Sequence, residues 1–404
     1  MGLSSSRTSR TISWGRRRRF RARSTPTGLA NVAEFAQSSH TLAQSLSSNG
    51  ESLTPRILVY GATGYTGKLV AREAAARGLD VVLAGRDAEK LKAVAEPLGF
   101  ETRTVLLDDA PRLRATLEEI RAVLHIAGPF SATAAPMVDA CLATGTHYLD
   151  VTGEIDVFEA IARRDAEARR AGILLLPGAG FDVVPSDCLA AHTAARVEDP
   201  TDLRIAIAGI GGGVSRGTAR TLIESLGDGL RIRRDGILQR RPNGSLERRF
   251  DFGAGPTRGI AMPWGDVATA FHSTGIPNIE VYFILSGGVP RLLKASRLAT
   301  PLFRSPALQR FLKSRVEAMP EGPTDAARDS TRTFLLAEVE AADGHRARSL
   351  LETPSGYALT PIAALEAGRR AATGETPVGF QTPATAFGAD FILELADCQR
   401  RDLE

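Results

Sequence analysis

The chain has 404 residues, 43% of them apolar and 24% charged, which is typical of globular proteins and long enough for two or three domains. Eight of the 50 Lys and Arg residues and two of the 46 acidic residues lie in residues 1–54, so the rest of the chain has a formal charge of −2, which argues against a nucleic-acid-binding domain. Three scattered cysteines without a metal-ligand spacing argue against a disulfide framework or a metal site, and the lack of about 20 uninterrupted apolar residues argues against a transmembrane helix.

The first 54 residues are rich in Ser, Thr and Arg and poor in large apolar side chains. Such a segment buries too little surface to offset the entropy lost on ordering, so we expect a disordered basic tail over 1–54. An organelle transit peptide, a basic arm that touches a membrane or nucleic acid, a start codon assigned too far upstream and a tail without function all fit these residues. The unpaired cysteines favour a reducing, cytoplasmic compartment, with organelle targeting left open.

The ordered chain is expected to begin with the apolar run Arg56–Tyr60, which predicts a buried parallel strand. A glycine-rich loop and a helix over 68–77 follow it, and the alternation of strand and helix then repeats. Further strands are predicted at 80–84, 103–107, 122–127, 148–151 and 173–176, with helices between them at 88–98, 111–120, 136–143 and 155–170. Six such units predict an α/β fold with a Rossmann-type doubly wound parallel sheet.

The loop after the first strand reads Gly61-Ala62-Thr63-Gly64-Tyr65-Thr66-Gly67, a pattern that predicts binding of a dinucleotide diphosphate. A strand must turn sharply there into a helix whose free N–H groups face the phosphates. We expect Gly61 to permit the turn, Gly64 to let the backbone approach phosphate oxygens, and Gly67 to let the helix pack closely on the strand. The predicted cofactor-binding residues of this loop are Gly61, Thr63, Gly64, Tyr65, Thr66 and Gly67.

The second strand ends in Gly85-Arg86 rather than in the acid that binds the ribose 2′-hydroxyl in NAD enzymes. Arg86 can pair with a 2′-phosphate and stack on adenine. Asp87 is expected to cap the helix that starts after it. The residues therefore predict NADP(H), with Asp108 or Asp109 either in contact with adenine or simply exposed.

Ligands of such a sheet lie at the carboxyl ends of its strands. Strand four ends in Gly128-Pro129-Phe130, whose small residues can let the backbone contact the ribose and nicotinamide. Glu154 follows strand five and Asp182 follows strand six, and both are candidate catalytic proton donors or substrate ligands. Each acid also precedes a predicted helix, so helix capping is the simpler competing explanation.

After residue 185 the pattern changes to longer strands with turn signals, which predicts a second α+β domain with a mostly antiparallel sheet over 186–359. A hairpin is predicted around Pro242-Asn243-Gly244, between strands 237–241 and 245–250. Thr360 is predicted to cap a helix with Pro361 at its first position. A C-terminal helical segment, 360–404, is expected to join the Rossmann domain over 55–185.

Two further segments have two interpretations each. The glycine-rich turn 211–218 contains Arg216, and its amides either bind a substrate carboxylate or phosphate or simply connect two elements. The segment 291–316 is basic and amphipathic, and it either makes a peripheral contact with a membrane or a greasy substrate, or packs on the second domain. A homodimer is left open as well.

The chain resembles the saccharopine dehydrogenase-like oxidoreductases, and more narrowly their trans-acting enoyl reductase branch, in the segments ILVYGATGYTGKLVA, HIAGPF, THYLDVTGE, PGAGFDVVPSD and GFQTPATAFGADFILEL. The resemblance covers roughly residues 55–395 and leaves out 1–54. It implies NADP(H) binding through Gly61, Gly64 and Gly67, and reduction of a carrier-bound or lipid-like enoyl chain. It carries no catalytic residue over to this chain.

These observations together predict an NADP(H)-dependent oxidoreductase that reduces the C=C bond of an enoyl thioester or lipid-like substrate by hydride transfer. The expected partner is a small-molecule or carrier-bound acyl substrate. Two alternatives keep the same fold. One is an imine-reducing, saccharopine-type dehydrogenase, and the other is a non-catalytic NADP-binding scaffold at a lipid surface.

Overall fold

The structure is a computed structural model that describes residues 56–209, 215–226, 229–285, 293–294 and 305–404. These residues belong to one compact unit, Thr54–Glu404. The predicted tail over 1–54 lies outside the described residues.

The first sheet has seven parallel strands in the order β15-β6-β5-β4-β1-β2-β3. This is the strand order of a Rossmann fold with one strand added at its edge. The strands are β1 (Arg56–Tyr60), β2 (Val81–Gly85), β3 (Glu101–Thr104), β4 (Ile120–His125), β5 (His147–Asp150), β6 (Leu174–Leu176) and β15 (Gly379–Phe380). Their helices are α1 (Tyr65–Ala76), α2 (Ala88–Ala95), α3 (Ala110–Thr116), α4 (Phe130–Thr144), α5 (Ile155–Ala162) and α6 (Asp165–Ala171).

The second sheet is mixed and mostly antiparallel, with the strand order β10-β11-β12-β7-β13-β14-β16 and with β8 pairing β12 and β9. Only β7 and β12 run parallel to each other among the pairs of this described sheet. The strands are β7 (Pro200–Ala208), β8 (Leu230–Arg234), β9 (Ile237–Arg241), β10 (Glu247–Asp251), β11 (Pro256–Ala261), β12 (Asn278–Phe283), β13 (Arg332–Ala341), β14 (Arg346–Pro354) and β16 (Gln399–Leu403). The remaining helices are α7 (Val184–Ala194), α8 (Arg216–Leu226), α9 (Asp266–Thr274), α10 (Pro306–Val316), α11 (Asp325–Ser330), α12 (Gly356–Thr373), α13 (Pro383–Phe387) and α14 (Phe391–Glu394).

One hydrophobic core extends from the first sheet to the second. It contains Val59 and Leu83 of the first sheet and Ile205 and Leu335 of the second, all with less than 1% of their surface exposed. Helix α12 packs against α1 and β4, and helix α7 packs against β13 and β14. The two sheets are therefore held together by shared apolar burial.

The predicted hairpin around Pro242-Asn243-Gly244 is wrong. Strand β9 pairs with β8 instead, through Asp235-Gly236, whose φ values of 52° and 76° suit a tight hairpin turn. Strand β10 pairs with β11. The Pro-Asn-Gly segment is thus a connection between two strands that do not pair, and the local Asp-Gly signal decided the hairpin.

The predicted start of the C-terminal helix at Thr360 is also wrong. Helix α12 begins five residues earlier because the Ser355 side chain caps it by accepting a hydrogen bond from the Ala358 amide. Thr360 lies inside the helix, where its hydroxyl donates to the Gly356 carbonyl. Residues 360–404 are not a single helix, because α12 ends at Thr373 with Gly374 (φ 79°) as its C-cap, and the chain then adds β15 to the first sheet and β16 to the second.

Candidate cofactor and active site

The corner between β1 and α1 depends on two glycines that no other residue can replace without displacement. Gly61 has a φ of 93°, and an ideal Cβ there would lie 2.8 Å from the Ala127 amide nitrogen. An ideal Cβ at Gly67 would lie 2.3 Å from the Gly61 carbonyl oxygen. The roles predicted for the sharp turn and for close packing of helix on strand therefore agree with the geometry of these two residues.

The tight contact at Gly67 in helix α1 predicts a different effect of an added methyl group from that at Gly85, which ends strand β2. Gly67→Ala is expected to lower the free energy of unfolding by about 1–3 kcal/mol, because backbone must move to admit the methyl group. The matched control is Gly85→Ala, where the new Cβ would lie 3.7 Å from the nearest atom, a Leu91 methyl carbon. Urea denaturation of both variants measures the difference, and equal stability would contradict the steric role of Gly67.

The third glycine of the loop leaves the helix end open. Gly64 is the N-cap of α1 with φ −76° and ψ 167°, and it is exposed. Its ideal Cβ would meet only the Gly61 carbonyl oxygen, at 3.5 Å. Because glycine has no side chain to cap the helix, the amides of the first turn remain available to an anionic ligand. Thr66 of this turn lines the cavities described below.

The end of β2 presents the arginine expected for a 2′-phosphate. Arg86 is exposed and makes no hydrogen bond or ion pair with the described part of the chain. Asp87 caps α2, since its carboxylate accepts from the Lys90 amide at 3.1 Å. The predicted capping role of Asp87 is confirmed, and this leaves the Arg86 guanidinium as the charged group that is free to receive a ligand at this strand end.

The two acids predicted near the adenine differ. Asp109 caps α3 by accepting from the Arg112 amide at 3.2 Å. Asp108 is exposed, and its charge, like that of Arg86, acts on the hydroxyl of Tyr60 at the end of β1, whose pKa is raised mainly by burial. Of these two acids, Asp108 is therefore the one that does not cap α3, and it is the one we expect to contact adenine.

Two cavities meet at the carboxyl ends of the first sheet. One is a cleft along Gly128, Phe130 and Glu154. The other is a pocket rich in hydroxyl groups, which lies between the glycine-loop helix and the second sheet. The residues that line both cavities are Thr66, Val151, Asp182, Thr218 and Trp264. Asp182 is the one titratable residue in this shared set.

Asp182 has the environment of a proton donor. Its carboxyl group has no hydrogen-bond partner within the described residues, and burial raises its pKa from 3.8 to about 7. It is partly buried and lines both cavities. An ideal Cβ at Gly153 would lie 3.0 Å from Asp182 Oδ2, so the glycine makes room for the carboxyl. A carboxyl group that is half protonated near neutral pH can donate a proton to a bound substrate.

The second acid, Glu154, has a different role. Its Oε1 accepts from the Phe130 amide at 2.9 Å and its Oε2 from the Ser131 amide at 2.8 Å. It therefore caps α4, and not α5, the helix that it precedes. This geometry favours capping over proton donation, and it fixes Pro129 and Phe130 at the end of β4.

Contacts of the glycine-loop helix with a distant segment were not foreseen. The Tyr65 hydroxyl donates to the Pro323 carbonyl at 2.7 Å, and Lys68 pairs with Glu321 at 2.7 Å. Gly322 lies directly on the Tyr65 ring, where an ideal Cβ would be 2.7 Å from ring carbons. These partners are about 250 residues apart in the chain, and no periodicity or motif in the sequence links them.

Parts of the two segments with open interpretations lie outside the described residues. Of the glycine-rich turn, 211–214 lies outside, and the Arg216 guanidinium donates to the Met319 carbonyl at 2.7 Å, which ties it to the chain. Of the segment 291–316, residues 291–292 and 295–304 lie outside. Its described end forms α10, which packs with α8. In the described ranges, we find no helix with the length and apolar character needed to cross a bilayer.

Comparisons with known proteins agree with this geometry. Residues 57–176 match the family model described as the saccharopine dehydrogenase NADP binding domain. A trans-acting enoyl reductase of Mycobacterium leprae is 37% identical over 142 residues, which cover 32% of this chain and 33% of that protein. A Mycobacterium tuberculosis protein named after the same activity is 36% identical over 189 residues, 43% of this chain and 45% of its own length. The alignments thus span less than half of these relatives.

The solved structure of apo saccharopine dehydrogenase (L-Glu forming) from Saccharomyces cerevisiae is similar over 87% of this chain and 100% of that chain, with a TM-score of 0.60 and 13% sequence identity. This likeness concerns the fold. The predicted α/β class, with a Rossmann-type sheet and a second, mostly antiparallel sheet, is confirmed, and so is the NADP-binding type of the first sheet. Over residues 57–176, this chain is thus similar to the saccharopine dehydrogenase NADP binding domain.

Proposed function

We propose that the chain is an NADP(H)-dependent oxidoreductase that reduces the C=C bond of an enoyl thioester or lipid-like substrate. The observation that carries the proposal is the position of Asp182, a carboxyl group with a pKa of about 7 at the junction of the two cavities. One of these cavities follows the strand ends where a Rossmann sheet binds its cofactor. The names of the mycobacterial relatives support the choice of an enoyl substrate.

The residues of the corner fit a dinucleotide. Gly61 and Gly67 allow the backbone to turn where a Cβ would collide with other backbone atoms. Gly64 leaves the first-turn amides uncovered for the diphosphate, and Arg86 offers a free guanidinium for a 2′-phosphate. When bound, NADPH supplies a hydride to one carbon of the substrate double bond.

The protein's own residues then have two tasks. The neutral form of Asp182 donates a proton to the other carbon of the double bond, and the resulting carboxylate is reprotonated from solvent through the cleft. Val151, Phe181 and Trp264 line the pocket beside it with apolar surface. They exclude water from the reacting carbons, which favours transfer of the proton from Asp182.

The experiment that tests the proposal is NADPH oxidation by the purified full chain with trans-2-enoyl thioesters of several chain lengths. Pairs of an amino acid and an oxo acid, which form imines, are measured beside them. We expect turnover with the thioesters and with NADPH in preference to NADH. Turnover with the imine-forming pairs alone would replace the proposed substrate by an imine. NADPH binding without any turnover would favour a non-catalytic NADP-binding scaffold.

Replacing the proposed proton donor gives a prediction with a defined pH dependence. In the wild type, kcat should be constant below pH 7 and should fall about tenfold per pH unit well above it, because the protonated form of Asp182 is the active one. Asp182→Asn should lower kcat by about 10²–10⁴-fold and remove this pH dependence. Stopped-flow or steady-state NADPH oxidation from pH 5 to 9 measures both effects.

The same variant separates chemistry from folding. Burial disfavours the charged carboxylate, so the neutral amide should leave stability at pH 8 equal or higher. Glu154→Gln is the contrasting variant. It weakens the cap of α4 but does not remove the proposed proton donor, so it should lower stability and leave the pH dependence of kcat in place. A wild-type pH profile in Asp182→Asn would show that the proton comes from elsewhere.

A further inference from the structure

We propose that the N-terminus of α12, together with the hydroxyl groups of Tyr357 and Thr333, forms the site for the substrate carbonyl oxygen and stabilises negative charge on it during reduction. This inference rests on the proposed function. Hydride addition to the β-carbon moves the electron pair of the C=C bond towards the α-carbon and the carbonyl oxygen. Asp182 then protonates the α-carbon, so that this electron pair forms a C–H bond, the C=O bond is restored and the negative charge is left on the Asp182 carboxylate.

Helix α12 is 18 residues long, and its first turn faces the hydroxyl-rich pocket. Ser355, Gly356 and Tyr357 all line that pocket, as does Thr360 one turn further on. The Ser355 side chain satisfies the Ala358 amide. The amides before Ala358 have no acceptor within the helix, and the positive end of the helix dipole lies at the same place. Donors fixed in advance at a developing oxyanion stabilise it without reorganisation.

Thr333 supplies an independent observation. It begins the buried part of β13, is only 1% exposed, and lines the same pocket. Its hydroxyl has no hydrogen-bond partner among the described residues. A hydroxyl that lines a cavity and has no protein partner is available to donate to a ligand. A ligand oxygen in the pocket would satisfy it.

Tyr357 is held in a chain of hydroxyl groups that leaves its proton available. Its oxygen accepts from the Ser215 amide at 2.7 Å and lies 2.8 Å from Thr218 Oγ1. Ser215 Oγ lies 3.1 Å from Thr218 Oγ1. If Ser215 donates to Thr218 and Thr218 donates to Tyr357, each hydroxyl is satisfied and the Tyr357 proton points to no protein acceptor. The Tyr65 ring, packed edge-on at 5.3 Å, holds the Tyr357 ring in place.

The arginine that lines this pocket, Arg328, already has carboxylate partners. Arg328 pairs with Asp325 at 3.0 Å and with Asp329 at 3.3 Å. The electrostatic attraction of Arg328 for a ligand is therefore weak. The hydroxyl groups and the N-terminus of α12 then contribute most to binding of the substrate carbonyl oxygen. The carbonyl end of the substrate then lies in this pocket, and the double bond lies beside Asp182, which lines both cavities.

The test compares Tyr357→Phe and Thr333→Val with Thr353→Val in the full chain. Thr353 is a matched control because it is equally buried, but its hydroxyl donates to the Pro354 carbonyl at 2.9 Å. One readout is kcat/KM for trans-2-hexenoyl thioester. We expect a loss of about 10²–10³-fold for Tyr357→Phe and at least tenfold for Thr333→Val, with little change for Thr353→Val.

The second readout is calorimetric binding of hexanoate, whose carboxylate mimics the charged oxygen, to the protein loaded with NADP+. Tyr357→Phe and Thr333→Val should each lower the affinity for hexanoate by at least tenfold and leave the affinity for NADP+ unchanged. Unchanged affinity in the variants, or no hexanoate binding by the wild type, would overturn the site. If no thioester is reduced by any form of the protein, the proposed function fails, whereas the calorimetric measurement still decides the site.

Discussion

Gly64→Asp is expected to stabilise the protein and at the same time to abolish NADPH binding. Gly64 is an N-cap in the extended region, and a Cβ there would make only an ordinary van der Waals contact with the Gly61 carbonyl oxygen, so an Asp side chain fits and can cap the α1 amides. Capping and the favourable helix dipole should raise the free energy of unfolding by about 0.5 kcal/mol. The new carboxylate would lie where we expect the cofactor diphosphate to bind.

The loss of affinity should be large. Two like charges about 4 Å apart repel by about 4 kcal/mol at an effective dielectric constant near 20, which corresponds to a loss on the order of 1,000-fold. Fluorescence titration with NADPH and thermal unfolding measure the two effects in one preparation. Gly64→Ser is the matched variant, because it caps the helix without adding charge. If Gly64→Asp bound NADPH as tightly as the serine variant does, the amides of this corner would not hold the diphosphate.

Arg86→Gln is expected to lower the affinity for NADPH by about 10–100-fold and to leave the affinity for NADH almost unchanged. The reason is that the Arg86 guanidinium makes no bond within the described chain, so its loss removes one or two charge-assisted hydrogen bonds to the 2′-phosphate and little else. Both dissociation constants can be measured by following the fluorescence of the reduced nicotinamide while the protein is added. High salt should narrow the difference between the two cofactors.

The control for this variant is Arg163→Gln, which removes an exposed arginine at the end of α5. It should change neither dissociation constant. An equal loss of affinity for NADPH and NADH in Arg86→Gln would mean that Arg86 contacts the adenine or stabilises the loop and does not bind the 2′-phosphate. In that case the preference for NADP(H) would have to come from another residue.

The cofactor corner was predictable because its determinants lie within a few residues of each other. A strand, three glycines at fixed spacing and a helix specify the turn at Gly61 and the close contact at Gly67 through backbone geometry alone. The same holds for Asp87, whose cap depends on an amide three residues later. The sheet order follows from repeated right-handed crossovers, which the alternation of strands and helices already indicated.

The errors arose where a local signal competed with another or with tertiary packing. Ser355 and Thr360 are both good caps, and the structure uses the earlier one. Pro-Asn-Gly and Asp-Gly are both turn signals, and only the second closes a hairpin. For Glu154, capping was weighed as the alternative, but the helix it caps begins 24 residues earlier in the chain.

The sequence by itself determined the Rossmann sheet, its phosphate corner and the arginine at the end of its second strand, because each depends on spacing within one strand–helix unit. Only the tertiary structure decided which acid lines both cavities and which side chains surround it. Asp182, Trp264 and Tyr357 come from separate segments, and they meet because two sheets share one core and bring their ends to a common cavity. Such a meeting depends on the summed packing of many apolar residues, and no local pattern in the chain encodes it.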